Sequence, residues 1–199
     1  RNIIAFEQLD VDYIVTNAGG CGAFLLEYDH LLKDDPEWRE RAATFAAKIK
    51  DISEVLVELG FHELPLRVVP QTVTYQDSCH LRNVMKTAAA PRRLLQAIEG
   101  VEFREMKDAD RCCGSAGIYN LVEPEMSMQI LDYKMEMAKQ TKATTIVTAN
   151  PGCLLQMKLG IERAGLTESV RAVHLVDLLL EAIEGAQAAR GQEHIRQTS

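Results

Sequence analysis

Four of the five cysteines in this 199-residue chain stand at Cys79, at the vicinal pair Cys112 and Cys113, and at Cys153. The gaps are 32 residues from Cys79 to the pair and 39 from the pair to Cys153. Thiolates in that number are ligands for a soft metal: they make the usual set for an iron-sulfur cluster and also for tetrahedral structural zinc. Residue types alone do not separate the two metals. A redox or nucleophilic thiol at Cys112 or Cys113 is the rival reading, but no neighbour supplies a dedicated base. A disulfide framework is disfavoured, because nothing in the chain reads as a signal peptide and the chain is long enough to bury a core unaided.

The elements around the thiols suggest how they meet. Residues 72–77, Thr-Val-Thr-Tyr-Gln-Asp, read as a strand, with Ser78 and Cys79 opening a helix. Residues 101–106 alternate apolar and charged side chains as a second strand, and a polar loop leads to Cys112, Cys113, Gly114, Ser115, Ala116 and Gly117, where a further helix is expected to open. Residues 144–148 form a third strand, followed by Ala149, Asn150, Pro151, Gly152 and Cys153 and a helix through Ile161. Pro151 suits a first helical turn. Loops at the carboxyl ends of strands in an open α/β sheet converge on one crevice. Helix amino termini there lower thiolate pKa and stabilise anions.

Around that nucleus the reading is plainer. Trp38, Ala42, Phe45, Ile49, Ile52, Leu56 and Leu59 recur at helical spacing, which predicts one amphipathic helix over 34–59. Residues 123–142 predict another helix, whose methionines at 126, 128, 135 and 137 read as adaptable core. A short strand over 167–173 and a helix over 175–183 close the pattern, with a frayed tail after them. His80, next to Cys79, is a candidate hydrogen-bond donor to the centre or a replacement ligand. The Asn150 amide is expected to cap the following helix. Cys21 has two readings, a metal ligand and an ordinary buried cysteine. His30, His62, His174 and His194 lie beside no plausible nucleophile. Hydrophobic residues make up 47% and charged residues 26%, with a net charge of -7. No apolar run spans a bilayer, no basic patch interleaves with aromatics, and no G-x-G-x-x-G follows a strand, so nucleic acid and a bound nucleotide are excluded as partners.

Cys79, the Cys112-Cys113-Gly114 run and the Asn150-Pro151-Gly152-Cys153 turn resemble the cysteine-rich "CCG" domain found in heterodisulfide reductase and in glycolate and lactate oxidase iron-sulfur subunits. The family pattern ends in Cys-x-x-Cys, and here Asn150 stands at the first of those positions. That departure favours a four-thiolate 4Fe-4S centre over a five-cysteine noncubane cluster, with zinc as the alternative metal. Residues 2–7 and 17–22, with Asp35-Pro36 and 51–54, resemble the middle of a glycolate oxidase iron-sulfur subunit. In that register Cys21 matches Cys153, and a ferredoxin-like domain with most of a first repeat would lie upstream of Arg1.

The resemblance implies an α/β fold, a mainly parallel sheet flanked by helices with metal ligands at strand carboxyl ends. Residues 1–30 would be the tail of a first repeat, 31–70 a helical connector, 71–185 a complete second repeat and 186–199 a flexible tail. It also implies an electron-transfer subunit rather than a catalyst alone, ligated by Cys79, Cys112, Cys113 and Cys153 with Cys21 as an additional candidate. His80, Gly114, Ser115, Asn150 and Gly152 would surround the sulfurs. The implied partners are a flavin-containing oxidase subunit, the other iron-sulfur domain of the same full-length subunit and, indirectly, a membrane quinone. The implied location is the cytoplasm, peripheral on the inner face of the membrane. A heterodisulfide-reductase-like activity at the cluster and a structural zinc module are the alternatives.

Overall fold

The computed structural model describes the backbone of residues 1–197 and the side chains of residues 1–191. Helix α1 (Asn2–Glu7) leads to strand β1 (Ile14–Thr16), then helices α2 (Gly19–Leu26), α3 (Tyr28–Leu31) and α4 (Arg39–Ala47). Strand β2 (Ile49–Asp51) and helix α5 (Ile52–Glu58) follow. The second part runs β3 (Arg67–Tyr75), α6 (Cys79–Asn83), α7 (Ala89–Gln96), β4 (Glu99–Phe103), α8 (Tyr119–Val122), α9 (Pro124–Gln140), β5 (Thr145–Thr148), α10 (Pro151–Arg163), β6 (Arg171–His174) and α11 (Leu175–Gln197).

Strands β3 to β6 form one parallel sheet in the order β4-β3-β5-β6, while β1 and β2 pair in parallel as a separate ribbon. Helices cover both faces of the larger sheet, as an all-parallel sheet requires. β5 is buried at every residue, with Val147 in a cluster built on Leu94, Leu95, Leu175 and Leu178, and Ile146 in the opposite cluster with Leu131, Met135 and Met157. The methionines at 135 and 137 are core, as their spacing predicts. The fold is therefore the expected α/β one.

Two expectations change. The segment 34–59 is not one helix: α4 ends at Ala47, and Ile49–Asp51 is extended so that Ile14 aligns with Ile49 and Thr16 with Asp51. A three-residue strand exists only through its long-range partner, which helical periodicity cannot register. The start of α5 was readable, because Asp51 accepts from Ser53 N–H while Glu54 reaches back to the Asp51 N–H, a reciprocal cap. At the other end, α11 continues through Gln197 where a frayed tail is expected after 185; residues 198 and 199 lie outside the described residues.

An internal parallel is visible in these elements. With α3 and α4 inserted after α2, the elements β1, α2, β2 and α5 follow the order of β5, α10, β6 and α11, each with a parallel strand pair, and Cys21 is the third residue of α2 as Cys153 is of α10. The two turns touch: Gly19 N–H donates to the Ala149 carbonyl and Gly20 N–H to Asn150 Oδ1, at 3.2 and 3.0 Å.

Candidate metal centre

Three chain segments bring the four thiols to one concavity of about 530 Å³, lined by Cys79, Cys112, Cys113 and Cys153 together with Cys21 and His80. Two of the segments are strand-to-helix turns, after β3 and after β5. Cys79 is the first residue of α6, and Cys153 lies in the first turn of α10 behind Pro151. The third departs from expectation, for Cys112 and Cys113 open no helix. They sit in an irregular loop between β4 and α8, where Gly114 has φ +95° and a Cβ would meet the Ser127 carbonyl oxygen at 2.5 Å. Only glycine combines that left-handed backbone with that approach.

Buried polar side chains fasten the loops. Gln156 on α10 donates to Ser127 Oγ, which donates to the Gly114 carbonyl, at 3.1 and 2.9 Å. Gln76 takes the Val147 carbonyl through its N–H, accepts from Thr148 Oγ1 and donates to the Asp77 carbonyl, so β3 and β5 are tied just below Cys79 and Cys153. The Asp77 N–H reaches the Ala109 carbonyl, and its buried carboxylate pairs with Arg82 and Arg92. Sequence reasoning finds no support for a role of Gln76, which these bonds correct, and passes over Ser127, Gln156 and the arginine partners of Asp77. The only available signal was polar residues at apolar phases of strand and helix.

Cys113 and Cys153 are buried at the floor, while Cys79 and Cys112 are half-exposed. Hydrogen bonding from Cys113, then from Cys79, holds Cys112 far below the ordinary thiol range, and the Gly114 N–H, 3.3 Å from its sulfur, adds to this. The same bonds push the donors Cys79 and Cys113 up. Cys153 is lowered, first by Cys113, with smaller help from Asn150 and Thr148. Thiolate character is thus favoured at Cys112 and Cys153, and a metal taken up by the set would release the protons of the other thiols. Among the described residues no three His, Cys, Asp or Glu side chains already stand in the geometry of a single bound ion. The donor set itself fits an iron-sulfur cluster: four thiols on one cavity, backbone N–H at its wall, and Gly152 so close that a Cβ would meet Ser115 Oγ at 2.9 Å.

The surrounding residues divide. His80 is exposed, with Nδ1 3.5 Å from Cys79 Sγ. Asn150 occupies the N-cap position of α10 but makes no cap hydrogen bond, which corrects the expectation. Its Nδ2 donates to Cys153 Sγ at 3.5 Å and its Oδ1 accepts from Gly20, because the α2 turn and the sulfur compete successfully for the amide. Cys21 is exposed, so its reading as a buried cysteine fails, and it faces the cavity from α2. His30, His62 and His174 do not line the cavity.

Comparisons with known proteins agree with this geometry. The model of the CCG cysteine-rich domain matches residues 73–158. The chain is 72% identical over 183 residues to the probable glycolate oxidase iron-sulfur subunit of Bacillus subtilis (strain 168), covering 92% of this chain and 41% of that protein. It thus spans about two fifths of that relative's length. It is 34% identical to lactate utilization protein A of Geobacillus thermodenitrificans (strain NG80-2) over 170 residues, 85% of this chain and 70% of the relative. Lactate utilization protein A of Oceanobacillus iheyensis is likewise 34% identical, over 178 residues, 89% of this chain and 72% of the relative. With a CCG cysteine-rich domain over residues 73–158 and about seven tenths of the length of these lactate utilization proteins covered at 34% identity, the chain belongs to the lactate utilization protein A family.

Proposed function

We propose that Cys79, Cys112, Cys113 and Cys153 hold a 4Fe-4S cluster and that the chain is the electron-carrying part of a glycolate-type oxidase, taking electrons from a flavin subunit and passing them towards a quinone. The observation that carries this reading is the convergence of four thiols from three separate segments on one cavity. The names of the relatives, glycolate oxidase subunit and lactate utilization protein, support a 2-hydroxy acid as the substrate of the assembly. Oxidation of that acid would belong to the flavin partner, so this chain is a subunit rather than a catalyst alone.

When bound, the cluster supplies a one-electron couple. The protein residues would set its working conditions. Gly114 N–H and the Asn150 amide stabilise negative charge on the sulfurs of Cys112 and Cys153, an arrangement that raises a cluster potential. Burial of Cys113 and Cys153 excludes water from the floor, and half-exposed Cys79 and Cys112 leave a side open to a partner. His80 at the rim would tune the centre as a hydrogen-bond donor. The place of Cys21 in α2, matching that of Cys153 in α10, supports a ligand role towards a first-repeat centre, with 1–30 as the tail of that repeat, 31–70 as the connector and 71–185 as the second repeat. No helix of the described residues is long and apolar enough to cross a membrane. That accords with a cytoplasmic subunit resting peripherally on the inner face of the membrane, alongside another iron-sulfur domain of the full-length subunit.

The test is iron, acid-labile sulfide and zinc content with an electron paramagnetic resonance spectrum, on protein isolated without oxygen. Roughly four irons and four sulfides per chain, as four thiolate ligands imply, with a signal on reduction, is the expected result. Roughly one zinc without sulfide, the structural tetrathiolate alternative, would overturn the electron-transfer reading.

A further inference from the structure

Helix α9 passes behind the Cys112-Cys113 loop, and the side chain of Lys134 on it is completely buried. Its Nζ donates to the Asp108 and Ala109 carbonyls at 2.6 and 3.2 Å. Among the described residues it forms no ion pair, and the carboxylates of Asp77 and Asp108 near it pair with Arg82, Arg92 and Arg111. An ammonium taken out of water without an anion is expensive, and two carbonyl dipoles offset only part of that. Burial pulls the Lys134 pKa down, and the opposing charges are, in order, Cys113, Asp110, Asp77 and Cys112. Asp110 is exposed to water, and Asp77 is already held by Arg82 and Arg92. Cys113 packs in the same buried cluster as Leu131, Met135 and Ala138 of α9, so the four-thiol concavity is the neighbouring place where a bound metal centre would bring negative charge without a dedicated cation.

We propose that Lys134 is the buried counter-charge of the metal centre, fixed behind the ligand loop by two carbonyls so that its ammonium offsets the negative charge of the thiolates and of the loaded cluster. The proposal rests on the iron-sulfur reading above. Reduction adds one negative charge to the centre, so a fixed cation nearby favours the reduced form and raises the potential. Ala109 shares the arrangement, since its carbonyl also receives the Asp77 N–H from the Cys79 turn, and one ammonium thereby touches the framework of two ligand segments.

The test compares Lys134→Met, Lys134→Gln and Lys134→Arg in the full chain loaded with iron and sulfide without oxygen. Iron content, midpoint potential and thermal midpoint would be read with and without the cluster. Lys134→Met is expected to lower the potential by at least a tenfold change in the oxidised-to-reduced ratio, about 59 mV for one electron. Its apoprotein should melt no lower than the parent, because an uncompensated buried charge is gone. Lys134→Arg should keep the iron and stay nearer the parent potential. If Lys134→Met takes up no iron, Lys134→Gln is read in its place; loss of iron in both with retention in Lys134→Arg also supports a charge requirement. A parent-like potential in an iron-loaded Met or Gln variant overturns the proposal, as does an apoprotein melting drop equal to that of the loaded form, which would make Lys134 a packing clamp. Zinc without sulfide in the parent would instead show that the underlying reading had failed.

Discussion

A thiol that accepts hydrogen bonds and a thiol that donates them are different ligands before any metal arrives. Cys112 accepts from the Gly114 N–H and Cys153 from the Asn150 amide, and these two are held below the ordinary thiol range while Cys79 and Cys113 are pushed up, so the four positions are not equivalent in the bare protein. Cys112→Ser and Cys153→Ser should each abolish iron retention and visible absorbance, whereas Cys21→Ser should keep nearly all the iron in this chain; metal analysis of the three variants checks both halves. His80→Ala should retain the cluster and shift its potential, since the imidazole lies beside Cys79 Sγ at the exposed rim. Loss of iron in that variant would make His80 a ligand. That Cys79, Cys112, Cys113 and Cys153 would share one cavity was legible because sulfur chemistry is written in residue type. The part played by Asn150 was not: nothing local told that its amide would turn to Cys153 and Gly20 rather than to the helix it precedes.

Elements place these residues, and they can be loosened one at a time. Gly160 on α10 is so near α9 that a Cβ would meet Met135 Cγ at 2.7 Å and Leu131 Cδ1 at 2.8 Å. Gly160→Ala should cost about 1–3 kcal/mol by overpacking, seen as a lower denaturant midpoint. Asp51, at the end of β2, is held above the usual carboxylate range by burial, against the pull of its Ser53 hydrogen bonds. The folded state therefore binds its proton more tightly than the unfolded chain does. This contribution disfavours folding fully above the raised folded value and fades as pH falls towards 3.8. Asp51→Asn, which keeps the cap acceptor, should melt higher than the parent at pH 7, with the gap closing in acid; a lower melting point at pH 7 would contradict this. The strand-ending turns of Cys79 and Cys153 were readable from β-branched runs followed by helix-starting residues. β2 was not, since Ile49 continues a helical period that only its pairing with Ile14 interrupts.

At the scale of the whole molecule, the centre fastens parts that are distant in the chain, so metal and stability should be coupled. Removal of iron with a chelator should lower the thermal midpoint of the parent and leave that of Cys112→Ser unchanged; equal melting curves before and after chelation of the parent would refute the coupling. The sequence by itself determined the class of chemistry, the four thiols that converge and the alternation of strand and helix, because these rest on residue type and short-range period. Tertiary structure decided what surrounds the thiols. Gln76, Ser127 and Gln156 tie the cysteine loops, Asn150 joins the two similar turns, and buried Lys134 donates to the carbonyls of Asp108 and Ala109 ahead of the cysteine pair. The order β4-β3-β5-β6 was likewise a matter of long-range pairing. Contacts of that kind depend on which residues a chain brings together from tens of positions apart, and neither composition nor periodicity records that distance.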